Sequence, residues 1–172
     1  MRRRLFLLGI FLHAAVLVGW AASLEVARTR ATTVRLEVVQ RDPRDLLRGD
    51  YVWLGYKASE IPLSAFAAPP DSALRGDPVY VALAPKEGVW EVAAASISRE
   101  TLPLAPGHRL LVGRVQFVNP RQGVHVLYGI ERYYVPEGKG NPPRGRIEAE
   151  VALTADGRPF LTRLFVEGRP YP

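Results

Sequence analysis

The stretch Arg146–Gly168, RIEAEVALTADGRPFLTRLFVEG, decides the fold class. Ile147, Ala149, Val151 and Leu153 alternate with Glu148 and Glu150, the period-2 pattern of a strand with one face buried. A second alternating run follows over 159–168. Asp156-Gly157 stands between them, and this dipeptide accepts the positive φ that a tight hairpin turn demands. The stretch therefore predicts two antiparallel strands, 146–155 and 159–168.

The same signature recurs upstream. TVRLEVVQ (33–40) alternates Val34, Leu36 and Val38 with Arg35 and Glu37. YVWLGY (51–56), PVYVALAP (78–85), GVWEVAAASI (88–97), RLLVGRVQFV (109–118) and GVHVLYGIERYYV (123–135) complete eight candidate strands. Turn residues separate them at Lys86-Glu87-Gly88 and at Pro120-Arg121-Gln122-Gly123. Residues 59–75 read as a loop with one helical turn around LSAFAA, and 136–145 as a second long loop. Eight short strands with frequent turns predict a mainly β fold, an antiparallel sandwich or barrel-like sheet.

Residues 5–23, LFLLGIFLHAAVLVGWAAS, differ in kind. They carry no formal charge and, as a helix, extend about 28 Å, close to the ~30 Å hydrocarbon core of a bilayer. Arg2, Arg3 and Arg4 precede them and Glu25 follows. The positive-inside tendency then puts the N-terminus in the cytoplasm and the rest outside, at the cell membrane. A cleavable signal peptide is the competitor, but the run exceeds the usual 7 to 15 residues of such a segment. The division expected is an anchor over 1–27 and an extracytoplasmic β domain over 28–172.

Composition excludes several classes. With no cysteine there is neither a disulfide nor a thiolate site. Of the net charge of +6, three charges belong to Arg2–Arg4, leaving 20 basic against 17 acidic residues with signs interspersed, so no nucleic-acid footprint is expected. No cofactor and no metal is expected either. His108 and His125 have no local ligand spacing, and no Ser or Thr in the first half of the domain sits in a nucleophile elbow.

Two dense stretches remain. DPRDLLRGDYVWLGY (42–56) gathers Asp42, Asp45 and Asp50 around Arg44 and Arg48, at a bend entering the strand at Tyr51. Acids capping turn amides and Arg–carboxylate pairs explain it structurally; a divalent cation on the three Asp is disfavoured by the adjacent arginines. YGIERYYVPEGKG (128–140) places Glu131 and Arg132 inside an apolar run, where an unpaired charge is costly. One of them is expected to point inward, paired as Glu131 with an Arg of the first stretch or as Arg132 with Asp50. An Asp50–Glu131 carboxylate pair is the catalytic alternative, as in a membrane-tethered hydrolase.

Gly49-Asp50-Tyr51-Val52-Trp53-Leu54-Gly55-Tyr56 fits G-D-Y-x-x-L-x-Y at every fixed position. With DPRDLLR before it and GIERYYVPEGKG after it, the chain resembles the bacterial GDYXXLXY family of membrane-anchored proteins of unknown function. The resemblance singles out Gly49, Asp50, Tyr51, Leu54 and Tyr56, together with Glu131, Arg132 and Glu137. It implies a partner among multi-spanning membrane proteins. It departs after Gly140, where Asn141-Pro142-Pro143 stands. A weaker likeness to type I signal peptidases lacks their Ser–Lys dyad here. The function expected is a non-catalytic, membrane-anchored docking module; the alternatives are the hydrolase and a small-ligand-binding domain. Only 18 residues separate Ser23 from Asp42, which favours docking of this loop beside the membrane.

Overall fold

The structure is a computed structural model, and it describes residues 2–29, 31–39, 51–68, 70, 74–134 and 145–171. Among the described residues a single α-helix, α1 (Arg2–Thr29), precedes twelve strands. Its segment Phe6–Ser23 has a mean hydropathy of 2.0, and all its side chains are exposed. The helix is long and apolar enough to cross a membrane, properties that a signal sequence shares. It ends at Thr29, consistent with a short helical extension beyond the apolar run.

The hairpin that opened the sequence forms as expected. β10 (Ile147–Leu153) pairs antiparallel with β11 (Pro159–Val166), and Gly157 turns the chain at φ 87°. A bulge beyond Glu150 leaves Thr162 outside the register, and its hydroxyl donates to the Glu150 carbonyl at 2.9 Å. β1 (Thr32–Val39) lies on the other side of β10, with Thr32 opposite Leu153 and Val38 opposite Ile147. Val34, Leu36 and Val38 are buried, the face that alternation predicts. β3 (Gly55–Tyr56) joins the end of β1, and β12 (Arg169–Tyr171) the end of β11, giving the order β12-β11-β10-β1-β3.

The second sheet has the order β4-β8-β7-β5-β6, from β4 (Glu60–Ile61), β5 (Pro78–Lys86), β6 (Val89–Ser96), β7 (Arg109–Asn119) and β8 (Gly123–Leu127). Its buried side chains, among them Val79, Val81, Leu83, Leu111, Val124 and Val126, meet those of the first sheet in one hydrophobic core. The chain passes between sheets at one corner, where β3 runs through a 3₁₀ turn (Lys57–Ser59) into β4. Beside this corner, Lys57 reaches Glu37 of β1 at 3.3 Å and Glu91 of β6 at 2.8 Å, tying the sheets from outside. The architecture is mainly β, two antiparallel sheets with a barrel-like closure.

Two of the eight expected strands are in fact divided. The run 51–56 splits at Leu54 into β2 (Tyr51–Trp53) and β3, which belong to different sheets. The run 123–135 splits into β8 and β9 (Arg132–Tyr134), with Tyr128–Glu131 outside any strand. Gly129, at φ 80°, makes that break possible, because a side chain resists the left-handed region. The short β4 and β12 carried no sequence signal. The expected loop over 59–75 contains β4 and a 3₁₀ turn at Leu63–Ala65, inside LSAFAA.

Candidate functional site

β2 and β9 form a separate two-stranded ribbon, with Tyr51 opposite Tyr134, Val52 opposite Tyr133 and Trp53 opposite Arg132. The two dense stretches of the sequence therefore pair with each other directly. Past the ribbon the connection continues. The Leu54 N–H donates to the Glu131 carbonyl at 2.7 Å, and the Tyr56 hydroxyl donates to the Ile130 carbonyl at 2.7 Å. From the other block, the Tyr128 hydroxyl donates to the Ala58 carbonyl at 2.5 Å. The Tyr56 and Tyr128 rings meet edge to face, 6.5 Å apart at 75°. Leu54, Tyr56, Tyr128 and Ile130 are all buried, so the last two fixed positions of the motif act as a brace inside the corner.

Of the Glu131–Arg132 pair it is Glu131 that turns inward, at 7% exposure, while Arg132 is exposed. The Glu131 carboxylate is held locally: Oε1 accepts the Tyr128 N–H at 2.5 Å, closing the Tyr128–Glu131 turn. No salt bridge between described residues involves Glu131, and the arginines and Asp50 proposed as partners lie outside the described residues. The guanidinium of Arg132 sits 6.0 Å from the Trp53 ring centroid, a cation–π contact across the ribbon. Burial raises the Tyr56 and Tyr128 phenols far above their ordinary range, and the Glu131 charge pushes both the same way. These phenols remain neutral donors throughout the physiological range.

Beneath the ribbon lies a cleft of about 240 Å³, lined by Trp53, Leu54, Lys57, Glu60, His125 and Glu131 among others. His125 is buried in β8, faces Glu60 of β4 across the pairing, and stacks on Phe117 with ring centroids 4.9 Å apart. Sequence reasoning missed Glu60 and His125 as members of the site, because β4 is only two residues long and gives no pattern. Among the described residues no group of three His, Asp or Glu is arranged to hold a metal ion. Asp42, Arg44, Asp45, Arg48, Gly49, Asp50 and Glu137 lie outside the described residues.

The ribbon also defines an exposed surface. Trp53 and Tyr134 are 40% and 70% exposed, next to Arg132. Its position relative to the helix is set by β1. From Thr32 to Val39 the chain makes seven steps, about 23 Å of strand, before the Asp42 stretch begins. β1 thus carries the chain from Thr32 to the end where Val38 and Val39 pair with Tyr56 and Gly55 of the motif.

Fold and site together define a mainly β domain behind an apolar N-terminal helix, with an aromatic ribbon joining two dense blocks of its own sequence. The chain belongs to the GDYXXLXY family: the family model, described as GDYXXLXY protein, matches residues 13–164. No curated protein and no solved structure shows a significant match.

Proposed function

We propose that the protein is a membrane-anchored, extracytoplasmic docking module without catalytic activity, and that the β2–β9 ribbon is its contact surface for an integral membrane protein. One observation carries this reading. The two blocks that characterise the chain are used to build a braced platform, and that platform displays Trp53, Arg132 and Tyr134 outward. Trp, Tyr and Arg are the residues most enriched where binding energy concentrates in interfaces. Preorganisation by the Tyr56 and Tyr128 bonds lowers the ordering cost of association.

In this reading α1 stays attached as a single span, with Arg2–Arg4 on the cytoplasmic side. The ribbon then meets the partner's extracytoplasmic portion. A hydrolase built on Asp50 and Glu131 fits less well. Glu131 already accepts a backbone N–H, and that bond competes with any proton-transfer role.

The test is co-purification of the tagged full-length chain from native membranes, alongside Trp53→Ala and Glu131→Gln. The expected result is one integral membrane protein retained by the wild type and lost from Trp53→Ala, with an unchanged unfolding midpoint. Glu131→Gln keeps an acceptor oxygen for the Tyr128 N–H and should retain the partner. A wild-type chain that purifies alone, or a partner that survives Trp53→Ala, refutes the docking surface.

A further inference from the structure

A second feature lies at the opposite end of β1. Thr29 and Thr32 are three Cα steps apart, at most about 11 Å. Thr32 pairs with Leu153, and Leu153 with Pro159, so the β10–β11 turn sits two strand spacings, about 10 Å, from the start of β1. This turn therefore stays within reach of the helix end whatever the angle between helix and domain. Residues 24–29 add about 9 Å of helix beyond Ser23, comparable with the roughly 5–8 Å headgroup layer on each side of a bilayer. On a retained span the helix would end near the outer edge of the headgroup layer, with the foot of the domain within reach of it.

A groove of about 760 Å³ opens there, between the start of β11 and strands β5, β7 and β8. Arg75, Arg114 and Arg158 line it with Val112 and Phe160, and among the described residues the one carboxylate in the lining is Glu131. Two more acids stand at its rim, and each is engaged. Asp156 pairs with Arg158 at 2.8 Å, while Asp77 accepts the Leu74 N–H at 2.8 Å. Arg114 spends one nitrogen on the Gly76 carbonyl at 2.9 Å and keeps its remaining donors. Exposed apolar side chains flank these arginines, Leu74 at 71% and Phe160 at 39%. Arg28 and Arg30 add two further charges in the sequence between the apolar run and β1.

We propose that this groove seats the headgroup of an anionic phospholipid, with Phe160 and Leu74 against the adjoining interfacial layer. The chemistry matches: guanidinium groups bind phosphate through paired N–H donors, and basic residues near an anionic surface are attracted to it. The helix supplies the proximity, so the contact needs little affinity of its own. The inference rests on α1 being a retained membrane span, and it assigns the lipid contact to the Arg158–Phe160 side of a groove that runs on to Tyr128 and Glu131. The Arg75–Arg158 groove faces lipid, and the ribbon faces the partner.

The absence of cysteine makes the test clean, since a single introduced thiol is the only labelling site. Full-length Phe160→Cys and Tyr134→Cys carry an environment-sensitive fluorophore in nanodiscs of phosphatidylcholine, with or without phosphatidylglycerol. Lipids bearing a quencher report contact. The expected result is quenching at position 160 that rises several-fold with phosphatidylglycerol, and none at 134. Adding Arg75→Gln and Arg158→Gln, which leaves the Arg114 bond to Gly76 in place, should remove the phosphatidylglycerol-dependent part. Equal quenching in both lipids, or none in either, overturns the proposal. So does loss of the effect in excess inorganic phosphate, which would make the groove a site for a soluble anion. Alkaline carbonate extraction separates the premise: release of the wild-type chain from native membranes sinks the anchor, and this inference with it. Retention with a silent probe sinks the inference alone.

Discussion

Replacing Tyr56 by Phe deletes one oxygen from the brace and leaves its ring in place. The hydroxyl lies inside the corner, donates to the Ile130 carbonyl at 2.7 Å, and belongs to a residue only 2% exposed. Removing it forfeits a buried hydrogen bond and strands an acceptor that water cannot readily reach. The expected loss is about 1–3 kcal/mol of unfolding free energy at neutral pH, the usual cost of orphaning a buried polar group. Alkali gives an independent check on the cause. The Tyr56 phenol is raised from 10.0 by burial first and by Glu131 second, so the folded state resists its ionisation. A raised acid contributes stability that is complete below the unfolded value and declines as pH climbs from there toward the folded value. The wild type must therefore lose stability above about pH 10 faster than Tyr56→Phe, which keeps only the corresponding contribution of Tyr128. The gap between the two proteins should narrow there. Guanidinium unfolding of both full-length chains in detergent, followed by tryptophan fluorescence at neutral and alkaline pH, measures this. A neutral-pH difference below about 0.5 kcal/mol, the range of surface substitutions, would refute the brace. A gap that widens in alkali would refute its assigned origin.

Two further perturbations probe the corner from outside. Gly123→Ala should destabilise by about 1–3 kcal/mol, as overpacked sites do, because its Cβ would stand 2.1 Å from the Ile61 carbonyl oxygen. Hydrogen exchange should show β4 loosening from β8 at Glu60–Ile61 first, and uniform protection would contradict the close approach. Lys57→Met should change little at neutral pH, since its ion pairs are exposed. In acid it should flatten the pH dependence. Glu91, lowered to about 2 chiefly by Lys57 and then Lys86, contributes stability that is present above 4.5 and lost as pH falls toward 2. Parallel acid titrations of wild type and variant, coincident throughout, would exclude that coupling.

How far the sequence revealed this molecule depends on what alternation reports. Period 2 records which face of the chain is buried, and it identified Val34, Leu36 and Val38 correctly. It says nothing about which strand lies alongside. Leu54 and Tyr56 share the buried face, so the pattern runs unbroken through residue 54 although the partner changes there from β9 to β1. Tyr128 and Ile130 hide the second break in the same way. Gly129 was the available cue, since glycine inside a strand pattern often marks a bend. The site was half legible for a related reason. An acid within an apolar run must be satisfied, and Glu131 is indeed buried and bonded. But satisfaction can come from any donor, and one that meets it is the Tyr128 amide three residues upstream. Charge in a sequence thus locates an obligation, and backbone geometry chooses who meets it. The pairing of the two dense stretches accordingly shows in their main-chain register, Trp53 opposite Arg132, which composition does not report.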